Sequence, residues 1–172
     1  MKILNAEQIR QLDQATITHE PIAPLQLMER ASQAFVDWFT RRYDAATPVK
    51  VFCGLGNNGG DGLAIARLLL QANYNPHYME NLSDMPTLRQ HDVVIDAILG
   101  LGISRPAEGL VKLVIECINR APAQVVSVDI ASGLRANEPG QPNDLTILPD
   151  HTVTFHLPKL ALLLPDNARF VG

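Results

Sequence analysis

Three short apolar runs, VKVFC, DVVIDAIL and QVVSVDI, constrain the fold of this chain more than any other feature. Each is rich in valine and isoleucine and too short for a typical helix, and the last two lack the apolar–polar alternation of a half-exposed strand. Near-continuous apolarity over such a length marks a strand covered on both faces. Helical spacing follows the first run over residues 61–71, and follows the second through VKLVIECINR. NPHYM and HTVTFHL read as two further strands. Strands alternating with helices imply a parallel α/β sheet with right-handed crossovers. Every strand-to-helix loop then opens on one edge, where such sheets bind ligands.

Two helices precede the sheet. Asn5, with Gln8 three residues on, gives a capping-box pattern, and Ile9, Leu12 and Ile17 carry a helix to about Thr18. Beyond Pro21 and Pro24, residues such as Leu27, Met28, Phe35, Trp38 and Phe39 recur at helical intervals through PLQLMERASQAFVDWFTRRY, with the aromatics read as core. The segment NLSDMPTLRQH leaves room for a stunted crossover of at most about two helical turns. Residues 136–150 form a Pro/Gly/Asn loop inside one domain. A chain of 172 residues with 47% hydrophobic content can bury one sizeable core.

A formal charge of −4 provides no basic field for a nucleic-acid backbone, so a small ligand is expected and nucleic acid is not. The two cysteines, Cys53 and Cys117, lie far apart without a CxxC or histidine-rich setting and read as buried apolar fillers. The opening MKILNAEQIRQLD lacks the apolar core of a signal peptide, and no run approaches the roughly 20 residues that span a bilayer. The chain reads as cytoplasmic and soluble, with no membrane partner.

Between VKVFC and a helix read as starting near Asp61 lies GLGNNGGDG, with five glycines, two asparagines and an aspartate in nine residues. It formally matches GxGxxG, and Glu80 stands where a dinucleotide reader places its ribose-binding acid. Yet Asn57, Asn58 and Asp61 bring hydrogen-bonding side chains into the turn, and the absence of GK[ST] excludes a P-loop. Asp96 closes VVID ahead of GLGISRP, which offers Ser104 and Arg105; Asp129 closes VVSVD ahead of Ser132 and Gly133. Taken singly these residues have plainer readings: a glycine-rich connector, a solvated loop arginine, an aspartate capping the next helix. Convergence of Asn58, Asp96 and Ser132 on one edge, with Asp61 and Asp129 beside them, points instead to a site.

Together, CGLGNNGGDGLAIARLL, DAILGLGISRP and VDIASGL resemble the three signature segments of the NAD(P)HX epimerase family, the YjeF N-terminal domain, in order and in strand context. NAEQIRQLDQATI, PLQLMERA and the closing TVTFHLPKLALLLPDNARFVG resemble it too, so the likeness covers nearly the whole chain. The resemblance implies a Rossmann-like three-layer sandwich with a mostly parallel sheet and an N-terminal helical extension, in one domain over residues 1–172. It implies an isomerase that interconverts the R and S forms of hydrated NADH and NADPH, working as a homodimer beside a fused or separate dehydratase. Carried residue by residue, it places Asn57, Asn58, Gly59, Gly60 and Asp61, then Gly100, Leu101, Gly102, Ile103, Ser104, Arg105 and Pro106, then Asp129, around the hydrated nucleotide. It places potassium at Asn58, Asp96 and Ser132; oxygen donors suit a hard cation without themselves choosing potassium over magnesium or calcium. Asp129 is the expected proton donor and acceptor, with Asp61 a second candidate or an orienting group.

The sequence departs from the family pattern in three places. The crossover over residues 81–91 is short, Ala131 stands where the family generally has proline, and the chain stops at Phe170-Val171-Gly172 where relatives continue into another strand. These departures fit a trimmed chain, a degenerate copy, or the front of a longer protein. Two other functions compete: a catalytically silent, nucleotide-binding dimerisation scaffold of the kind seen in enhancer-of-decapping proteins, and a dehydrogenase resting on GxGxxG and Glu80 alone. His77, His91, His151 and His156 read as surface or core residues, and Lys159, in HLPKLALLLP, has no assigned step.

Overall fold

The computed structural model describes residues 3–79, 85–141 and 144–172. Helix α1 (Ala6–His19) starts on the expected capping box: the Gln8 amide donates to Asn5 Oδ1 at 2.8 Å and the Asn5 amide to Gln8 Oε1 at 3.0 Å. Helix α2 (Pro24–Thr40) opens on a proline whose missing N–H would be unpaired there anyway, and it buries Phe35, Val36 and Phe39. It ends before the Arg41-Arg42-Tyr43 that the sequence pattern included.

The strands β1 (Val49–Cys53), β2 (His77–Met79), β3 (Val93–Ala97), β4 (Gln124–Val128) and β5 (His151–Val153) form one sheet in the order β2-β1-β3-β4-β5. Every pairing is parallel. Strand alternation divides the core. Val51, Cys53, Ile95, Ala97, Val126 and Val128 meet α2 and α3 (Asn57–Gln71) on one face. Phe52, Val94 and Val125 meet α4 (Gly109–Arg120) and the closing 3₁₀ turns on the other. Three layers result, as the sequence implies. Cys53 is buried as expected, whereas Cys117 is exposed on α4, so the filler reading holds for one cysteine and not the other.

Two corrections concern the site's supports. The helix after the glycine loop begins at Asn57, a turn earlier than the apolar periodicity shows, because its first turn is built of Asn and Gly that carry no apolar stripe. Close packing demands this composition: a Cβ on Gly59 would stand 1.8 Å from the Gly54 carbonyl oxygen, and one on Gly62 2.6 Å from the Ala97 Cβ. The other correction is HTVTFHL, where β5 stops at Val153. There Thr154 and the Phe155 amide turn to bond Asp129 Oδ1.

Glu80 and the first part of the stunted crossover lie outside the described residues. Residues 85–91 contain no helix; Met85 and Leu88 pack directly on the α4-side core. At the far end, Leu4 forms a parallel bridge with Lys159, and the Ala6 amide donates to Asn137 Oδ1 at 2.8 Å. These contacts tie the N-terminal segment to the chain's closing turns.

Candidate active site

The loops after β1, β3 and β4 open on one sheet edge, as parallel topology requires, and border a cleft of about 1370 Å³. Asn57, Asn58 and Asp61 line it from the start of α3, residues 100–106 from the second loop, and Asp129 from the end of β4. Gly59 and Gly60 do not line it; Gly59 packs against Gly54 behind the loop and Gly60 against Met28. Asp96 and Ser132 are fully buried beneath the cleft floor.

Beneath that floor the three oxygen-bearing residues do converge, through the backbone of Leu99. Asn58 Nδ2 donates to the Leu99 carbonyl at 2.7 Å and to the Val128 carbonyl at 3.3 Å. The Leu99 amide donates to Ser132 Oγ at 2.8 Å. Asp96 accepts from Ser132 Oγ at 2.5 Å, from the Ser132 amide at 2.9 Å, from Ser127 Oγ at 2.8 Å and from the Ile98 amide at 3.3 Å. Parallel register sets this up, since Asp96 lies opposite Ser127 in adjacent strands. Burial pushes the Asp96 carboxyl upward against the opposing pull of these donors.

One atom in this network has no hydrogen-bond partner among the described residues. Asn58 Oδ1 is buried and accepts no hydrogen bond, while its amide nitrogen is fully engaged. An orphaned buried acceptor beside a buried carboxylate and a serine hydroxyl suits a hard cation held by oxygens. Among the described residues no group of three or more His, Cys, Asp or Glu is placed to hold a metal. Any ion here would therefore rest on amide, hydroxyl and single-carboxylate oxygens, a weak-charge set of the kind an ion of low charge tolerates.

A second cluster faces the cleft itself. Asp129 adopts φ 68°, left-handed and strained for a residue with a side chain. Its Oδ1 accepts from the Phe155 amide at 2.9 Å, from Thr154 Oγ1 at 3.3 Å and from Lys159 Nζ. Lys159 is 1% exposed, and its ammonium also donates to Thr154 Oγ1 at 2.8 Å and to the Phe155 carbonyl at 3.0 Å. Across from this pair, burial pushes the Asp61 carboxyl up to about 7, with Asp129 and Asp13 adding to the shift and Lys159 opposing it. Asp13, on α1, is raised as well, by burial first, with His156 and Lys159 pulling against that and Asp129 adding to it. The cleft thus sets three carboxyls near one ammonium, which bonds Asp129 among them, with His156 alongside.

The chain matches the family described as YjeF-related protein N-terminus over residues 24–86 and 76–161. It belongs to that family. It is 38% identical to an NAD(P)H-hydrate epimerase of Limosilactobacillus fermentum, over 98% of this chain and 92% of the relative. It is 34% identical to an NAD(P)H-hydrate epimerase of Roseobacter litoralis, over 92% and 91%. A bifunctional NAD(P)H-hydrate repair enzyme of Thermofilum pendens is 32% identical over all of this chain but only 39% of its own length. The crystal structure of the yeast protein ynu0 has the same fold, with a TM-score of 0.77 at 23% identity over 100% of this chain and 85% of the yeast one. The L. fermentum alignment runs over 193 positions against 172 residues here, so that relative carries residues this YjeF-type chain lacks. The two family matches overlap at residues 76–86, next to the short crossover.

Two residues of this YjeF-type cleft carry no role in the sequence pattern. Asp13 sits at i+4 from Ile9 and i−4 from Ile17, and all three line the cleft, so a lone carboxylate in α1's apolar stripe was the available signal. Lys159 announced itself as a single cation beside LALLL, though nothing local says that its partner lies 30 residues upstream.

Proposed function

We propose that this chain is an NAD(P)H-hydrate epimerase that interconverts the R and S forms of hydrated NADH and NADPH. The observation that carries the reading is the pairing, on one sheet edge, of a carboxyl-lined cleft with an oxygen-lined floor, in a chain whose near full-length relatives bear that name.

Hydration leaves a hydroxyl on carbon 6 of the reduced nicotinamide ring, beside a nitrogen whose lone pair can expel it once it is protonated. The ring becomes a cationic iminium, and water returning to the opposite face gives the other epimer. The site must therefore supply a proton, take one back, and stabilise a cation in between. Asp129 is the acid/base residue, with Asp61 beside it; the carboxyls of Asp13, Asp61 and Asp129 supply the anionic surroundings. The amides at the start of α3 and residues 100–106, Arg105 among them, border the part of the cleft where the dinucleotide's phosphates would lie.

Potassium belongs to the same proposal. Asn58, Asp96 and Ser132 would hold it, and it would supply a fixed positive charge that locks the loops after β1, β3 and β4 together. A homodimer, a dehydratase fused or acting separately, and a cytoplasmic location complete the reading. No helix is long and apolar enough to cross a membrane among the described residues.

The experiment is to mix the purified protein with R- and S-enriched hydrated NADPH and follow the epimers by chromatography. Wild type should speed exchange, and Asp129→Asn should slow it about a hundredfold or more with folding intact by circular dichroism. Binding without exchange would replace the enzyme with the nucleotide-binding scaffold, and near wild-type exchange by Asp129→Asn would remove Asp129 from this role.

A further inference from the structure

The proposed reaction needs a proton donor and a proton acceptor in one cleft, and the hydrogen bonds around Lys159 separate the two. Lys159 has three N–H groups and three acceptors: Asp129 Oδ1, Thr154 Oγ1 and the Phe155 carbonyl. None is left for Asp61. On Asp129 the same oxygen, Oδ1, takes the ammonium, the Phe155 amide and the Thr154 hydroxyl, so Oδ2 is the oxygen left to meet a ligand. The left-handed backbone at Asp129, φ 68°, and the left-handed His156, φ 63°, fold the strand end and the closing segment around this pair. The Lys159 side chain is 1% exposed, so its charge is little screened by water.

We propose that Lys159 is a positioning residue that fixes Asp129 as a carboxylate with Oδ2 toward the substrate, and that Asp61 carries the proton given to the departing hydroxyl. This rests on the epimerase reading and divides its acid/base work between two side chains. Protonated Asp61 gives H⁺ to the C6 hydroxyl, the C–O bond breaks, and water leaves an iminium. Entering water forms the new C–O bond and yields H⁺ to Asp129 Oδ2. Return of that proton to Asp61 resets the pair with no net proton consumed, and the reverse direction starts from the other arrangement of the same single proton.

The charged groups around Asp61 agree with the assignment. From α1 comes Asp13, from the end of β4 Asp129, and from the closing segment His156 and Lys159. Helix α2 presents Ser32, whose hydroxyl meets the Asp61 carbonyl at 3.4 Å, and its Glu29 pairs with Arg67. Arg10 and Arg105 line the cleft too. Burial and the two neighbouring aspartates push the Asp61 carboxyl to about 7, so at neutral pH both its acid and its carboxylate form are populated and it can give or take a proton there.

The test combines carboxyl-carbon NMR on aspartate-labelled protein with pH profiles of epimer exchange. At neutral pH, wild-type Asp129 should give a carboxylate signal while Asp61 titrates. In exchange assays the wild-type rate should fall on the basic side. Asp61→Asn should lose that basic limb and about a hundredfold in kcat. Lys159→Met should move the limb to higher pH and lower kcat more than it alters KM, a change that loss of packing alone would not produce. Because Lys159→Met leaves a half-buried carboxylate without its cation, Lys159→Met/Asp129→Asn removes both charges. If that double variant is no slower than Asp129→Asn alone, Lys159 acts through Asp129, as proposed. A neutral Asp129 signal in wild type, an unchanged basic limb in Asp61→Asn, or fully additive losses would overturn the proposal. Absence of exchange in wild type would remove the epimerase reading, while the two carboxyl signals would still decide which aspartate holds the proton.

Discussion

Asp61 loses its proton near 3.8 in an exposed setting and near 7 in the folded chain, where burial, Asp129 and Asp13 all oppose its charge. Between those values the folded state binds more protons than the unfolded one, so this residue makes stability fall as pH rises. Below the lower value both states are protonated and there is no penalty; above the upper one the penalty is complete. A shift of this size corresponds to about 4 kcal/mol at most, an order-of-magnitude ceiling. Asp61→Asn keeps the shape and removes the charge. Urea denaturation at about pH 8 should therefore show it more stable than wild type, by about 2–4 kcal/mol, with a flatter stability slope between about pH 4 and about pH 7. A variant no more stable than wild type at that pH would mean that the carboxyl ionises without hindrance. Gain of stability with loss of exchange is the trade expected where a charge is buried for chemistry.

At the level of elements, the glycine loop joins β1 to α3 by contacts that leave no room for a side chain at Gly54 or Gly59. A Cβ at Gly59 meets backbone, the Gly54 carbonyl oxygen at 1.8 Å, which no rotamer change relieves. Gly59→Ala should thus cost about 3 kcal/mol, at the upper end for an added methyl, read as a lowered urea midpoint. An unshifted midpoint would show that α3 can slide away from the loop. This loop also shows what the sequence could and could not say. Its composition marked a turn with ligand atoms, and the apolar runs placed β1, β3 and β4 within a residue or two. The start of α3 was missed because Asn57 to Gly60 present no hydrophobic period to read. Asn58, Asp96 and Ser132 were legible as strand-end oxygens, since a parallel sheet brings such ends to one edge. The Asp129 and Lys159 pairing was not, because it depends on the irregular turn after Val153 and not on any spacing.

At the scale of the whole molecule, the segments after β1, β3 and β4 meet through side chains at the floor beneath the cleft: Asn58 to Leu99 and Val128, Ser132 to Leu99 and Asp96. Each segment belongs to a different crossover, so whatever binds at that junction braces three strand connections at once. The orphaned Asn58 Oδ1 identifies the acceptor that still lacks a partner there. A ligand that binds the folded chain alone stabilises it by RT ln(1 + [L]/Kd), about 2.7 kcal/mol at a hundred times Kd. The proposed potassium site accordingly predicts that thermal unfolding followed by circular dichroism rises in midpoint as potassium replaces lithium at constant ionic strength. Asn58→Ala should abolish the rise, because it deletes the unpaired oxygen and leaves the Asp96, Ser127 and Ser132 bonds in place. Matching ionic strength removes general screening as a cause. Equal midpoints in the two salts would leave Asn58 Oδ1 to some other partner, with the carboxyl chemistry of Asp61 and Asp129 untouched, since neither belongs to the floor.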